Sequence, residues 1–155
     1  MAKETSPITS RQLAAADIPA LLNLDKDVFR TQWSEHLWQH ELSSDLSTYV
    51  AIEQEGKLVG YAGFWLVAGE AQITRVAILK DRHGQGLGSY LTAALIAAAW
   101  DKGAEAITLE VRAGNTAAQK AYQRNGFSAV GIRPHYYEDN GEDAIIMWLY
   151  RKEEG

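Results

Sequence analysis

The sequence predicts one α/β (α+β) domain: a mixed, mostly antiparallel central sheet of about seven strands, with helices on both faces. Three observations lead there. The chain has 155 residues, 46% of them apolar, with five Trp and seven Tyr, enough material for a single core. Three strand-like runs follow one another between residues 48 and 78 with short turns between them, which reads as an antiparallel meander. Helical and strand runs then alternate to the end of the chain, which places helices over the sheet. The domain is expected to span residues 1–155, with its ordered core at 7–150 and frayed ends at 1–6 and 151–155.

Each element has its own signal. Residues 7–13 form a short first strand. Residues 14–29 carry Ile18, Leu21, Leu22, Asp25 and Phe29 at helical spacing, with Asp17 as the expected cap and Pro19 in the first turn. Ser34 is placed to cap a second helix over 35–42, whose apolar positions are Leu37, Trp38 and Leu42. The meander strands are 48–53, 58–67 and 71–78, turning at Gln54-Glu55-Gly56-Lys57 and Ala68-Gly69-Glu70. A glycine-rich loop then leads into a long helix over 87–102, closed by Gly103. A strand at 106–111, a helix at 115–125 ended by Gly126, and strands at 127–133 and 143–150 complete the order β-α-α-β-β-β-α-β-α-β-β.

Composition narrows the function. The net charge of −5 argues against a general nucleic-acid surface and is compatible with a basic peptide or amine partner. There is no cysteine, so disulfides, cysteine zinc sites and a cysteine nucleophile are excluded together. The first ten residues, MAKETSPITS, lack the apolar run of a signal peptide, and the longest apolar stretch, 91–100, is too short to span a bilayer. A cytoplasmic protein without membrane partners is expected.

The loop His83-Gly84-Gln85-Gly86-Leu87-Gly88-Ser89 contains no lysine and its glycines are spaced G-x-G-x-G. That is neither a Walker loop nor a dinucleotide fingerprint. It is either a tight connection or a cradle of backbone N–H groups at a helix N-terminus, where the dipole favours an anion such as pyrophosphate. In the strand that follows the long helix, Ile107, Leu109 and Val111 face one side and Thr108, Glu110 and Arg112 the other. A carboxylate on what reads as a central strand suggests a cleft; an ion pair or an uncovered sheet face is the competing explanation. Asn115, Ala118 and Tyr122 share a helix face, with Asn115 as the N-cap. His36, His40, His83 and His135 do not make a metal spacing, so no metal is expected.

Together these runs resemble the GCN5-related N-acetyltransferase (GNAT) superfamily. The glycine loop is similar to its pyrophosphate loop, Q/R-x-x-G-x-G/A, and N-x-x-A-x-x-x-Y before Asn125-Gly126-Phe127 is similar to its acetyl-coenzyme A helix. The likeness covers nearly the whole chain. Within the superfamily the chain resembles the RimI type through Val28-Phe29, Trp33-Ser34, the run 109–115 (LEVRAGN), the run 131–137 (GIRPHYY) and the run 142–147 (EDAIIM). It departs from the pattern at His83, where Gln or Arg is usual, at Gln32 in place of proline, and at Arg75 in place of asparagine.

The resemblance implies the GNAT fold and acetyl-CoA as co-substrate. It also implies an acceptor: the N-terminal α-amino group of a protein, namely the N-terminal alanine of the eighteenth small-subunit ribosomal protein. A lysine side chain or a small amine is the alternative within the same fold, and a non-catalytic acyl-CoA-binding domain is the alternative outside catalysis. Glu110 is the candidate base, and by family analogy Tyr122 protonates the departing thiolate. Val76, Ala77 and Ile78 would pair with the pantetheine amides, an N–H near Ile78 polarising the thioester carbonyl. His83, Gly84, Gln85, Gly86, Leu87, Gly88 and Ser89 would hold the pyrophosphate, and Asn115, Ala118 and Tyr122 would line the coenzyme. Trp33, Trp38, Arg75, Tyr136 and Tyr137 are placed at the acceptor groove, with core packing the alternative for each aromatic. The oligomeric state stays open.

Overall fold

A computed structural model describes residues 7–152. The expected frayed ends therefore lie outside the described residues, apart from Arg151 and Lys152. Eleven elements follow in the expected order: β1 (Ile8–Gln12), α1 (Ile18–Val28), α2 (Glu35–Ser43), β2 (Ser47–Gln54), β3 (Lys57–Val67), β4 (Glu70–Ile78), α3 (Leu87–Asp101), β5 (Ala106–Arg112), α4 (Thr116–Arg124), β6 (Ser128–Arg133) and β7 (Ala144–Tyr150).

The first helix begins later than its apolar spacing suggested. Residues Ala15–Asp17 form a 3-10 turn, and Asp17 makes no capping hydrogen bond to α1. Its carboxylate is taken up by Arg11, in a bidentate pair at 2.7 and 2.8 Å, and by the Ala14 N–H at 2.8 Å. A charge-assisted fork of this kind outcompetes a neutral cap. Ser34 does cap α2, accepting from the Leu37 N–H at 3.1 Å. Both meander turns place two residues at positive φ, Glu55 and Gly56 in one and Ala68 and Gly69 in the other. That geometry matches the right-handed twist of the strands they join.

The seven strands form one sheet in the order β1-β2-β3-β4-β5-β7-β6. Every neighbouring pair is antiparallel except β4 and β5. Those two pair in parallel only from Glu70 to Gln72, opposite Ala106 to Thr108. Beyond Gln72 the strands no longer pair. One residue earlier in β3 than that opening, the register with β4 shifts: Gly63 faces Arg75 while Phe64 faces Ile73, leaving Thr74 as an extra residue in β4. A bulge bends the strand that holds it, and here it turns β4 away from β5.

Two core layers fix this sheet. On one face α3 packs through Leu87, Leu91 and Leu95 against Ile52, Phe64, Ile107, Leu109 and Met147. On the other, α1 and α2 pack through Leu21, Leu24 and Trp38 against Tyr49, Tyr61 and Ala77. Burying each large side chain contributes about 1.5–3 kcal/mol. Because α1 and α2 lie over β2, β3 and β4, Glu110 on β5 stays exposed on their side of the sheet.

Candidate active site

The glycine loop ends in a helix start without a side-chain cap. Gly86 is the N-cap of α3 at φ 77°, in the left-handed region, and offers no side chain to the first turn. The first i→i−4 bond of the helix is that of the Tyr90 N–H to the Gly86 carbonyl at 3.1 Å, so the N–H groups of Leu87, Gly88 and Ser89 precede the internal ladder. Gly84 is also left-handed, at φ 83°. Leu87 is buried in the core and anchors the loop; Gln85 is exposed. His83 turns back on the sheet, its Nε2 3.0 Å from the Ile78 carbonyl. Its ring braces the loop against β4, while the N–H groups that could meet an anion come from residues further on.

The α4 helix lies beside this loop. Asn115 caps it, its Oδ1 accepting from the Ala118 N–H at 3.1 Å, and Asn125 clasps Ser89 of α3 through its side-chain amide at 3.2 and 3.3 Å. Tyr122 is 8% exposed and packs edge-on against Phe127, with ring centroids 5.7 Å apart. Tyr122 and Val76 of β4 line one small apolar cavity. Burial pushes the Tyr122 phenol up to about 12, Tyr137 adding a smaller push. Its hydroxyl has no hydrogen-bond partner among the described residues.

Glu110 sits on the opposite face of β5 from Tyr122. It pairs across the sheet with Ile146, and its Oε1 lies 3.4 Å from Nε of Arg133. The ion pair weighed against a cleft is thus present, on a face that is also open to solvent. Beside it the segment between β6 and β7 folds back. Arg112 pairs with Asp139 at 3.0 Å and Glu142 at 3.3 Å and lies 3.9 Å over the Tyr137 ring. Glu142 also accepts from the Gly114 N–H at 2.6 Å. Tyr136 and Tyr137 meet edge to face at 5.1 Å. Burial raises the Tyr137 phenol above its ordinary value.

Trp33 and Arg75 meet on the α1–α2 side of the opening, whereas Trp38 is fully buried and takes the core-packing alternative, among Leu21, Leu24, Tyr49 and Tyr61. The Arg75 guanidinium lies 3.7 Å from the centre of the Phe29 ring and 4.3 Å from that of Trp33. Its Nε donates to the Tyr61 hydroxyl at 2.8 Å, and its Nη2 lies 3.4 Å from Asp25. Asp25 is fully buried and also accepts from Tyr61 at 2.5 Å and from the Trp38 indole at 3.0 Å. A second carboxylate repeats the arrangement: Glu41 on α2 accepts from Tyr49 at 2.9 Å, and Tyr49 contacts Thr74 at 3.4 Å. Two helix carboxylates therefore reach, through two tyrosines, the two adjacent residues at the β4 bulge. Asp25, Phe29, Tyr61 and Arg133 were not singled out as site residues. Asp25 had a signal, because it occupies an apolar-stripe position between Leu21 and Phe29.

A cleft of about 250 Å³ lies elsewhere. Ser10, Gln12, Thr48, Ala94 and Ala98 line it between β1, β2 and α3, and no predicted site residue does. Among the described residues no three His, Asp or Glu side chains converge as metal ligands, and no helix is long and apolar enough to cross a membrane.

Comparison with known proteins decides the family. The model of the acetyltransferase (GNAT) family matches residues 18–127. The chain belongs to that family. This GNAT protein is 39% identical over 140 residues to the putative ribosomal protein bS18-alanine N-acetyltransferase of Bacillus subtilis, covering 90% of this chain and 93% of the relative. It is 34% identical over 143 residues to the bS18-alanine N-acetyltransferase of Escherichia coli, covering 91% and 96%. The crystal structure of the ribosomal-protein-S18-alanine N-acetyltransferase from Escherichia coli superposes with a TM-score of 0.84 at 32% identity, covering 96% of this chain and 97% of the other. GNAT acetyltransferases use acetyl-CoA as acetyl donor.

Proposed function

We propose that this GNAT enzyme transfers the acetyl group of acetyl-CoA to the N-terminal α-amino group of a protein, the N-terminal alanine of ribosomal protein bS18 being its acceptor. The observation that carries the reading is near-full-length similarity, at 34–39% identity, to relatives named for that reaction.

The residues fit the donor. The uncapped first turn of α3 behind Gly84 and Gly86 suits a pyrophosphate without lysine or metal. The edge of β4 beyond Gln72 is unpaired on the β5 side, so Val76, Ala77 and Ile78 can pair with pantetheine amides, and the Ile78 N–H can polarise an acyl carbonyl. Bound acetyl-CoA supplies an already activated acyl group in its thioester.

The chemistry left to the protein is orientation and two protons. An α-amino group has a pKa near 8 and a lysine near 10.4, so at pH 7 roughly a tenth of the first is neutral and far less of the second. Glu110 takes the amine proton, directly or through one water. Tyr122 keeps its own proton throughout the physiological range because burial raises it. Since a thiol is a stronger acid than this phenol, Tyr122 serves the leaving sulfur chiefly as a hydrogen-bond donor, and the departed thiolate takes its proton from solvent, matching the one that the amine gives to Glu110. Glu110 and Tyr122 belong to opposite faces of β5. The opening between β4 and β5 joins those faces, so an acceptor on one side and a donor on the other can meet there. Trp33, Arg75, Tyr136 and Tyr137 flank the acceptor side.

The test is Glu110→Gln. Removing one acid–base group costs 10²–10⁴-fold, so kcat is expected to fall by that order while coenzyme affinity, measured calorimetrically, stays at the parental value. A near-parental kcat removes Glu110 from the mechanism.

A further inference from the structure

Resting on the reading of Glu110 as base, we infer that Arg133 is an internal stand-in for the acceptor's ammonium group, a competing cation that an incoming N-terminus must displace and that therefore sets acceptor affinity.

Arg133 ends β6, one of the two edge strands of the sheet. Its Nε stands 3.4 Å from Glu110 Oε1 without making a hydrogen bond. Glu110 is the one carboxylate paired with Arg133, and Arg133 the one cation paired with Glu110, among the described residues. Both side chains are solvent-accessible, 56% for Arg133 and 33% for Glu110. An exposed, loosely aligned pair of this kind is weak and readily exchanged. Arg112 differs. It is held by two carboxylates and stacks at 3.9 Å on Tyr137, which makes it a clasp for the segment between β6 and β7.

Arg133 also has a second place to rest. The Tyr136 ring centre lies 6.0 Å from its guanidinium carbon, at the outer limit of a cation–π contact. A guanidinium that leaves Glu110 can close on that ring and remain partnered.

The acceptor arrives mostly as a cation, because an α-amino group near neutral pH is largely protonated. It reaches Glu110 only in competition with the positive charge already there. An N-terminus blocked by acetylation brings no charge to exchange. Arg133 thereby sets how tightly a free ammonium is held at Glu110, before any proton is moved.

The competition is read from binding alone. The probe is a peptide beginning Ala-Ser with no other charged side chain, titrated calorimetrically into enzyme saturated with coenzyme A, which does not turn over. Arg133→Met is expected to tighten the peptide about two- to five-fold, the exchange value of an exposed pair. The same change in a Glu110→Gln background is expected to leave affinity where that variant has it. Unchanged or weaker binding by Arg133→Met overturns the inference. So does equal tightening in both backgrounds, which would mean general charge repulsion. Failure of the base reading shows separately, as a Glu110→Gln enzyme that turns over at the parental rate.

Discussion

Tyr61 on β3 donates its hydroxyl to the carboxylate of Asp25 on α1 at 2.5 Å, and the same hydroxyl accepts from Arg75 Nε at 2.8 Å. One phenol thus links the helix pair to the β4 bulge. The guanidinium it holds lies against the rings of Phe29 and Trp33, so the α1–α2 side and the β4 strand are one packed unit.

Removing Asp25 leaves the Arg75 charge without its buried carboxylate. Breaking a buried pair from one side costs about 3–5 kcal/mol. Asp25→Ala is expected to lose that much in urea unfolding. Asp25→Ala with Arg75→Met is expected to recover a substantial part, since it removes the stranded charge as well. A single variant that unfolds at the parental midpoint would show that the pair contributes nothing.

The glycine loop separates backbone need from space. Gly86 is left-handed at φ 77° and a Cβ there meets nothing, so Gly86→Ala pays only for conformation, about 1–2 kcal/mol. At Gly88 the φ is ordinary and a Cβ would rest 3.8 Å from Ala121 and Ile78, an ordinary contact. Gly88→Ala is expected to be clearly less destabilising than Gly86→Ala, by thermal unfolding without ligand. Equal losses would show that the loop is not pinned by the left-handed cap.

Acid lowers stability through three carboxylates. Asp17 and Asp139 lie below their ordinary 3.8, each chiefly through its arginine, and Glu142 below its ordinary 4.5, chiefly through the Gly114 N–H. A group depressed in the folded state contributes stability that is fully present above its unfolded pKa and is lost as pH falls through the folded one. Stability is therefore expected to be flat from these groups above about pH 5 and to decline below pH 4. Chemical unfolding at pH 3 and pH 6 checks the sign; Arg112→Met should flatten the decline, because it releases Asp139 and part of Glu142.

The sequence made the architecture legible because its local signals agreed with one another. Ser34, Asn115, Gly103 and Gly126 mark helix ends that the structure uses as such, and the period-2 pattern of residues 106–111 marks the faces of β5. Asp17 misled, because a cap residue also makes a good partner for Arg11, and the sequence does not rank the two. The splay of β4 from β5 was hidden for a similar reason. It depends on a one-residue register shift at Thr74, and no residue type encodes that shift. Glu110 is singled out by its odd position on a strand, whereas its pairing with Arg133 needed the fold, since 23 positions of chain separate two residues that the sheet brings to 3.4 Å.

The central claim is the position of the acetyl group. Acetyl-CoA and the enzyme are incubated with a peptide beginning Ala-Arg and, in parallel, with a copy whose N-terminus is blocked and which carries a lysine, and the products are mapped by mass spectrometry. The account predicts acetyl on the free alanine nitrogen of the first peptide and none on the second. Acetyl on the lysine alone, with the free N-terminus untouched, would contradict it.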